Sequence, residues 1–309
     1  MRWVAKAMVQ NTLAALPKGV AVNAVLQRHG TGSTVLAPER VVDKLARVVP
    51  MHLRHLAEHS PRQLRETRVL EVGTGFTPTV PLGLHLAGVR SVHTVDIAEL
   101  MTVRSVEELL GCVREASRTG LLRERCPWVD EAREAELCAS PSASASLAEV
   151  LSRFGITYEV GTALHVSLDE GCVDLAISNN VFEHVPRDVI GGILRESARV
   201  GTPDVVASHH IDLRDHYAKF DRRIDVFHNL RFSARQWQLL NSRLEPQNRL
   251  RYPDYVTVFA AAGFQVVAED LRRGKAELLR RTRLAPEFRR YSTDDLRVID
   301  MWVAARPAD

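Results

Sequence analysis

The stretch "VLEVGTGFTPTVPLGL", residues 69–84, constrains the fold most, because it joins a short apolar run to two glycines and then to Pro78. Glycine adopts the backbone conformations that tight turns require, and proline is favoured where a helix begins. The stretch therefore predicts a strand, a tight turn and a helix. A glycine-rich turn in this setting commonly binds a nucleotide-like ligand.

Short apolar segments recur from about residue 67 onwards and alternate with segments of helical spacing. Strands that alternate with helices indicate an α/β fold, in which a mostly parallel sheet is flanked by helices. The predicted strands are residues 68–72, 91–96, 156–160, 172–178, 203–209, 264–269 and 298–305.

Residues 1–64 precede this alternation and are predicted to form a helical N-terminal extension to the main domain, residues 65–309. Apolar residues recur at helical spacing within 2–16 and 39–59. Open α/β sheets bind ligands at the carboxyl ends of their strands, and the apolar faces of these helices need a partner. We therefore expect the extension to cover that end of the sheet as a lid.

Two insertions interrupt the main domain. Residues 101–152 combine helical stretches with the tract "ASPSASAS", residues 139–146, which is predicted to be a mobile surface loop. Residues 210–252 are rich in His, Arg, Asn and aromatic residues and lie between two predicted strands. Insertions at the carboxyl ends of strands often build ligand sites, so we expect the second one to recognise a substrate.

Composition excludes several classes of protein. No apolar run approaches the roughly 20 residues that span a bilayer, so we expect a soluble, cytoplasmic protein without a membrane partner. The net charge of +3 offers no strong field for nucleic acid. The four cysteines lack CxxC and metal-binding spacing, which is typical of isolated thiols in a reducing cytosol.

The residues around the glycine turn indicate which class of nucleotide-like ligand it binds. The Gly-Lys-Ser/Thr series of a phosphate-binding loop is absent. A dinucleotide fingerprint needs a small residue at position 78, where Pro78 would obstruct helix packing and offers no N–H to a pyrophosphate. What remains is Glu71, Gly73 and Gly75 at the end of one strand, with Asp96 at the end of the next.

This stretch resembles motif I of the class I S-adenosylmethionine-dependent methyltransferases. Further on, "ITYEVGTA" and "CVDLAISNNVFEHVP" resemble the third and fourth strands of that family, and "DYVTVFAAAGFQVV" resembles its helix before strand six. The likeness covers roughly residues 67–305, although Thr77 replaces the third glycine of the family motif.

The resemblance implies a Rossmann-like, mostly parallel seven-stranded sheet with an antiparallel last strand, and S-adenosylmethionine as the cofactor. It implies that the glycines let the backbone approach the methionine part and that Asp96 accepts hydrogen bonds from the ribose hydroxyls. Thr162 stands where the family often has an Asp that contacts the adenine amino group. The implied cofactor contacts are Glu71, Gly73, Thr74, Gly75, Asp96, Ile97, Thr162, Ala163, Asn179 and Asn180.

Two of these acids also have a purely structural interpretation. Asp96 could cap the following helix. Glu71 could be a buried acid that pairs with local backbone N–H groups, in which case it would still orient the turn.

Methyl transfer is an in-line displacement that requires an aligned nucleophile, exclusion of water and usually removal of a proton. A neutral histidine suits that last task near pH 7. The candidate catalytic residues are His184, His209, His210, Asp212 and His216.

His184 belongs to the segment "NNVFEHV", where a Glu-His pair could orient a loop or could supply the base. A similar E-x-x-E-H segment holds a metal in the small-RNA 2′-O-methyltransferases and in ubiquinone-pathway enzymes. Asn180 replaces the first acid here, so we predict no metal. A site formed by Glu183, His184 and either His209 or His210 is the alternative.

His209 and His210 should face opposite ways if their strand continues, so that one of them points into the cleft. Asp212 and His216 lie four apart on an expected helical turn, which suits a base and its orienting partner or, alternatively, a helix cap among solvated charges. Arg249 and Arg251 could clamp a carboxylate or phosphate, or could lie on the surface.

The aromatic residues of 217–252 could form the walls of a pocket for a small polar acceptor or belong to the core. The sequence favours methyl transfer to an oxygen or nitrogen of a small molecule such as a bacterial secondary metabolite or sugar. One alternative keeps the cofactor but releases methylthioadenosine, by cyclisation or aminocarboxypropyl transfer. Another is a non-catalytic cofactor-binding partner of another enzyme. The oligomeric state stays open.

Overall fold

A computed structural model describes residues 3–14, 36–141 and 146–308. The part of the predicted N-terminal extension at 15–35 and the middle of the serine-rich tract, residues 142–145, lie outside the described residues.

The described chain forms a seven-stranded sheet in the order β3-β2-β1-β4-β5-β7-β6. β1 to β5 pair in parallel, whereas β7 pairs antiparallel with both β5 and β6. This confirms the predicted α/β fold and the antiparallel last strand, and each predicted strand is present. The strands are β1 (Arg68–Val72), β2 (Ser91–Asp96), β3 (Ile156–Val160), β4 (Val173–Asn179), β5 (Gly201–Asp212), β6 (Phe264–Arg273) and β7 (Val298–Pro307).

Helices flank the sheet on both faces. The α-helices of the described residues are α1 (Trp3–Ala14), α2 (Pro38–His59), α3 (Thr79–Leu86), α4 (Val103–Arg118), α5 (Leu121–Arg125), α6 (Glu131–Ala139), α7 (Leu147–Ser152), α8 (Arg187–Val200), α9 (Ala234–Leu240), α10 (Tyr252–Ala261), α11 (Ala276–Arg281) and α12 (Thr293–Arg297). Short 3₁₀ turns cover Leu64–Glu66, Phe182–His184, His216–Lys219, His228–Arg231 and Pro286–Phe288.

Alternation along the strands divides the core between the two faces. Val69 packs into a cluster with α2, α3 and α4, whereas its neighbour Leu70 packs into a second cluster with α8 and α10. β5 repeats the pattern, with Val206 in the first cluster and Val205 in the second. Both faces are covered, which explains why β4 is apolar along most of its length.

The second helix of the predicted extension belongs to the main domain. The apolar side of α2, which includes Val42, Leu45 and Val49, is fully buried in the first cluster. α3 approaches α2 so closely that a Cβ on Gly83 would lie 2.6 Å from side-chain atoms of Leu45 and Val49. α2 therefore packs against one face of the sheet and forms part of the core. The prediction of a separate covering extension is wrong for residues 38–59.

α1 instead packs on the second insertion. The Trp3 ring lies 5.7 Å from the Tyr217 ring and 5.6 Å from the Phe232 ring, between centroids. The backbone N–H of Trp3 also donates to Asp221 Oδ2 at 3.1 Å. α1 and the insertion thus share a small apolar cluster of their own, which includes Ala7 and Trp237.

The cysteines are all unpaired thiols, as their spacing predicts. Of the helices within the described ranges, none is both long enough and apolar enough to cross a membrane.

Candidate functional site

The glycine turn after β1 depends on two left-handed residues, with φ of +81° at Gly73 and +75° at Gly75. L-residues with a side chain rarely adopt this conformation. A Cβ on Gly73 would also collide with Val181, whereas a Cβ on Gly75 would meet no atom within 4 Å. Gly73 therefore permits close contact with the segment after β4, and Gly75 leaves open space for a ligand.

Asp96 connects this turn to the end of β2. One carboxylate oxygen accepts from the Gly75 N–H at 2.8 Å, and the other accepts from the Ala98 N–H at 3.2 Å. The helix after β2 begins at Val103 and is capped by Thr102, so the alternative prediction that Asp96 caps it is wrong. Asp96 instead holds the two loops together and lines the cleft described below.

Glu71 lies beneath the turn, only 3% exposed, and accepts from the Thr94 hydroxyl at 2.9 Å. Burial raises the pKa of Glu71 to about 7. Thr74 Oγ1 in turn bonds to Thr94 Oγ1. The partner of the buried acid is thus a hydroxyl and not the local backbone N–H groups that the sequence suggested, and Glu71 supports the turn from inside the core.

A cleft of about 590 Å³ opens at the carboxyl ends of β1 to β4, a volume typical of sites for small organic ligands. Leu244 of the second insertion reaches its wall. Of the expected cofactor contacts, Glu71, Thr74 and Asn179 do not line the cleft. Those that do are Gly73, Gly75, Asp96, Ile97, Thr162, Ala163 and Asn180.

The cleft residues fit S-adenosylmethionine. Gly75 offers open space beside a backbone turn, and the Asp96 carboxylate is placed to accept from hydroxyls. Ile97 is 83% exposed and presents an apolar surface that suits a planar base. The Thr162 hydroxyl accepts from the Leu164 N–H at 3.3 Å, so this side chain shapes the local turn.

The segment after β4 forms the opposite wall and is held by the second insertion. The Asn248 side-chain amide donates to the Phe182 carbonyl at 2.6 Å and to the Val185 carbonyl at 2.7 Å. His184 Nδ1 lies 2.8 Å from the Pro246 carbonyl, so Nδ1 carries the hydrogen and Nε2 keeps a lone pair. Burial lowers the pKa of His184, which lines the cleft as a neutral ring near pH 7.

His216 lies beside His184, with ring centroids 5.0 Å apart, and its Nε2 is 3.6 Å from Asp212 Oδ2. The predicted helical turn is wrong, because Asp212 ends β5 and His216 begins a 3₁₀ turn. Arg214 contacts both oxygens of Asp212, at 2.8 and 2.7 Å, and Lys219 Nζ lies 3.1 Å away.

Asp212 is therefore a fixed anion among cations. Burial opposes its ionisation, but the nearby His216, the hydrogen bonds from Arg214 and the charge of Lys219 outweigh that cost and hold the Asp212 pKa well below its usual range. Because Arg214 and Lys219 already occupy its oxygens, Asp212 acts on His216 mainly through its charge.

His209 and His210 lie on opposite faces of β5, as alternation predicts, but neither lines the cleft. His209 stacks on Phe182 at 4.4 Å, and its Nδ1 lies 2.8 Å from Ser178 Oγ. Burial lowers the pKa of His209 to about 3. His210 stacks on Trp302 at 4.3 Å. Aromatic packing accounts for both rings, so the expectation that one of them points into the cleft is wrong.

Among the described residues, ligand atoms of Glu183, His184 and His216 lie within 4.8 Å of one another. Both Glu183 carboxylate oxygens are buried without a hydrogen-bond partner, and burial raises the pKa of Glu183 to about 8. This set can hold a divalent cation, whereas His209 and His210 are too firmly packed to join it. Glu183 is missing from the predicted catalytic residues, although the Glu-His pair in the sequence signalled it.

Arg249 and Arg251 neither clamp a ligand in the cleft nor lie on the surface. Arg251 is 1% exposed and donates to the Leu213 and Leu296 carbonyls at 3.0 Å each, and to the Val298 carbonyl. Arg249 donates to two carbonyls within the second insertion. Both predictions for these arginines are wrong, because their guanidinium groups satisfy buried carbonyls.

The aromatic residues of the insertion lie mainly in the core, which is the plainer of the two interpretations. Tyr217 and Trp237 pack with α1, and Phe227 packs in a separate cluster with Leu230 and Leu279.

A family profile described as "Methyltransferase domain" matches residues 110–207, from within α4 into β5. The curated proteins contain no match to this chain. Similar solved structures include a SAM-dependent methyltransferase of Methanosarcina mazei (12% identity, 82% of this chain and 97% of that chain, TM-score 0.44). Another is a Mesorhizobium loti S-adenosylmethionine-dependent methyltransferase (16% identity, 86% of this chain and 99% of that chain, TM-score 0.43). A third is the Burkholderia thailandensis 1,6-didemethyltoxoflavin-N1-methyltransferase (14% identity, 94% of this chain and 89% of that chain, TM-score 0.45).

The strand order of this chain, its glycine turn beside Asp96 and the profile match over residues 110–207 lead to one conclusion: the chain contains a methyltransferase domain with the Rossmann-like class I fold and is a methyltransferase that uses S-adenosylmethionine.

Proposed function

We propose that this enzyme methylates an oxygen or nitrogen of a small polar molecule, which binds between the cofactor cleft and His184. The observation that carries the proposal is the state of His184: a neutral ring in the cleft wall, with Nδ1 bound to the Pro246 carbonyl and Nε2 free to accept a proton. S-adenosylmethionine, when bound, supplies an electrophilic methyl group.

His184 would take the proton that the acceptor loses. A neutral imidazole within hydrogen-bond reach of a hydroxyl or amine is an effective base near pH 7. The Asp212 carboxylate lies 3.6 Å from His216 Nε2, and the two histidine rings are 5.0 Å apart. A fixed anion at this place favours the positive charge that develops on the pair, so His216 and Asp212 would assist.

α1 and the insertion would exclude water from the acceptor. Lys6 and Gln10 of α1 share a small cavity with His216 and Glu245, and the Gln10 amide donates to Glu245 at 3.0 Å. This restricts the predicted lid to α1, since α2 packs on the face of the sheet. The acceptor would be small and polar, because the described part of this wall combines charged groups with aromatic rings.

The decisive variant is His184→Asn. Asparagine can replace the Nδ1 contact with the Pro246 carbonyl but offers no basic nitrogen at the Nε2 position. We expect turnover to fall by roughly 10²–10⁴-fold, the usual contribution of a general base, with cofactor affinity within about threefold. The exposed His165, replaced by Asn, is the matched control and should retain activity. The measurement is mass-spectrometric detection of adenosylhomocysteine across a panel of small hydroxyl and amine acceptors.

The same assay separates the alternatives. Release of methylthioadenosine would contradict methyl transfer in favour of other chemistry of the cofactor. Activity that is lost on chelation and restored by a divalent cation would make Glu183, His184 and His216 metal ligands rather than proton acceptors. Unchanged turnover in His184→Asn would remove His184 from the reaction.

A further inference from the structure

Two histidines of α2 converge on a single hydroxyl of β5. His52 and His55 are both fully buried, and the Nδ1 atom of each lies 2.7 Å from Ser208 Oγ. The other ring nitrogen of His52, Nε2, lies 3.1 Å from Asn179 Oδ1, at the end of β4. A chain of hydrogen bonds therefore runs from α2 across β5 to the strand end beside the cleft.

The donors and acceptors in this chain are determined. Asn179 Oδ1 can only accept, so His52 Nε2 carries the hydrogen. Burial lowers the pKa of His52 to about 3, so the ring is neutral and its Nδ1 must accept from the Ser208 hydroxyl. The Ser208 hydroxyl then has no further hydrogen to donate, and its oxygen accepts from His55 Nδ1. The last donor in the series is His52, and its target is Asn179.

Asn179 precedes a residue of the cleft wall that has a left-handed backbone conformation. Asn180 has a φ of +54°, in the left-handed region that is uncommon for residues other than glycine. The Asn180 N–H donates to the His210 carbonyl at 2.9 Å, and Val181 packs against Gly73. Both Asn180 and Val181 line the cleft, whereas Asn179 lies behind it. A strained conformation persists only where its surroundings hold it in place.

We propose that His52 is a positioning residue for the cofactor, acting through Asn179 to hold the end of β4 in the conformation that forms the cleft wall. Trp302 stands edge-on to the His52 ring, with centroids 5.1 Å apart, and limits its rotation. Within the described ranges, the Asn179 side chain has His52 as its hydrogen-bond partner, and its Nδ2 group has none. Loss of His52 therefore releases Asn179 and the turn that follows it.

A pair of substitutions separates this role from support of the fold. Glutamine can place an amide N–H where His52 Nε2 lies, whereas asparagine reaches only the position of Nδ1. We expect His52→Asn to bind S-adenosylhomocysteine about tenfold more weakly, the effect of one lost buried hydrogen bond, and His52→Gln to bind within about threefold of the unaltered protein. Isothermal titration calorimetry on the full chain measures both, without dependence on the acceptor.

His55→Ala is the matched control, because His55 contacts the same Ser208 hydroxyl but is not bonded to Asn179. It should lower the melting temperature while the affinity for S-adenosylhomocysteine stays within about twofold. Asn179→Ala should reproduce the tenfold loss, and the double variant with His52→Asn should lose no more than either alone.

Equal affinities of folded His52→Asn and the unaltered protein would overturn the proposal, as would an equal loss in His52→Gln and His52→Asn. If His52→Asn does not fold, the comparison of Asn179→Ala with His55→Ala decides. Matching affinities in those two variants would also overturn it.

Discussion

The two walls of the cleft are built differently. On the side of β1 to β3, the wall consists of backbone turns with one carboxylate, Asp96, and its glycines leave open space. On the side of β4 and β5, long-range contacts between side chains and carbonyls hold the wall, such as those of His184 with Pro246 and Asn248 with Phe182. The first wall can recognise a constant cofactor with few side chains. Under the proposed function, the second wall would contact the acceptor, and substitutions in the insertion would alter this contact without disturbing the first wall.

The walls also differ in their buried charges. The second wall holds the paired charges of Asp212 and Arg214, and the insertion buries Arg251. Buried charges are costly unless they are paired, so this wall depends on complete sets of partners. Substitutions should therefore affect stability most on the side of the insertion and cofactor affinity most on the side of β1 to β3.

The largest expected effect is the loss of stability in Arg251→Met. Methionine fills much of the same space but leaves the buried carbonyls of Leu213, Leu296 and Val298 without a donor. We expect the free energy of unfolding to fall by about 3–5 kcal/mol, measured from the urea midpoint. The exposed Arg243, replaced by Met, is the control and should cost less than about 0.5 kcal/mol. Similar midpoints for the two variants would remove the contrast between the walls.

Asp96→Ala tests the cofactor wall. The substitution removes an acceptor from the cleft, so we expect cofactor binding to weaken by about 1.5–3 kcal/mol, which is roughly 10- to 150-fold. Stability should fall by only about 1 kcal/mol, through loss of the bonds from the Gly75 and Ala98 N–H groups. Calorimetry with S-adenosylmethionine measures the first effect. Glu99→Ala, which removes an exposed carboxylate from the same loop, should bind normally. Unchanged affinity in folded Asp96→Ala would exclude a ribose contact.

Glu183→Gln should show the smallest effect, and one that depends on pH. Burial raises the Glu183 pKa from 4.5 to about 8, so the folded protein holds a proton that the unfolded chain releases near neutral pH. The associated stability is complete below about pH 4.5 and is lost as the pH rises through about 8. Between pH 6 and pH 7 we therefore expect the variant to gain about 1–2 kcal/mol relative to the unaltered protein.

Denaturation curves at both pH values check this result. Glutamine at the exposed Glu66 should give the same difference from the unaltered protein at each pH. Burial lowers the pKa values of His52 and His209 to about 3, so the stability that depends on these two histidines changes with pH in the opposite direction. It is present above about pH 6.5 and is lost as the pH falls below that value. A Glu183→Gln curve parallel to that of the unaltered protein would mean that Glu183 is already ionised in the folded state.

Much of the fold could be predicted from local sequence. Strand periodicity located each strand, and β1, β2 and β3 have the predicted limits. The glycine turn and Asp96 were recognisable because their roles depend on backbone conformation and on position at a strand end. The spacing of His52 with Val48, Val49 and Leu56 also places this histidine on the apolar face of α2, a signal that would have predicted its burial.

The incorrect predictions for polar side chains share one physical cause. Arg251 resembles a surface residue until its three carbonyl partners are known, and these lie 38 to 47 positions away along the chain. His209 and His210 resemble bases until Phe182 and Trp302 are found stacked on their rings. The Asp212–His216 proximity was predicted for a helix but arises from the turn that follows β5.

The sequence by itself determined the order of strands and helices, the glycine turn and the cofactor class, because periodicity, backbone conformation and short motifs are local properties. Only the tertiary structure decided which polar side chains are buried and with which partners. His52 meets Asn179 across 127 positions, and Trp3 meets Asp221 across 218. A hydrogen bond forms where two groups meet in space, and the chain separation of its partners follows no period that a sequence could reveal.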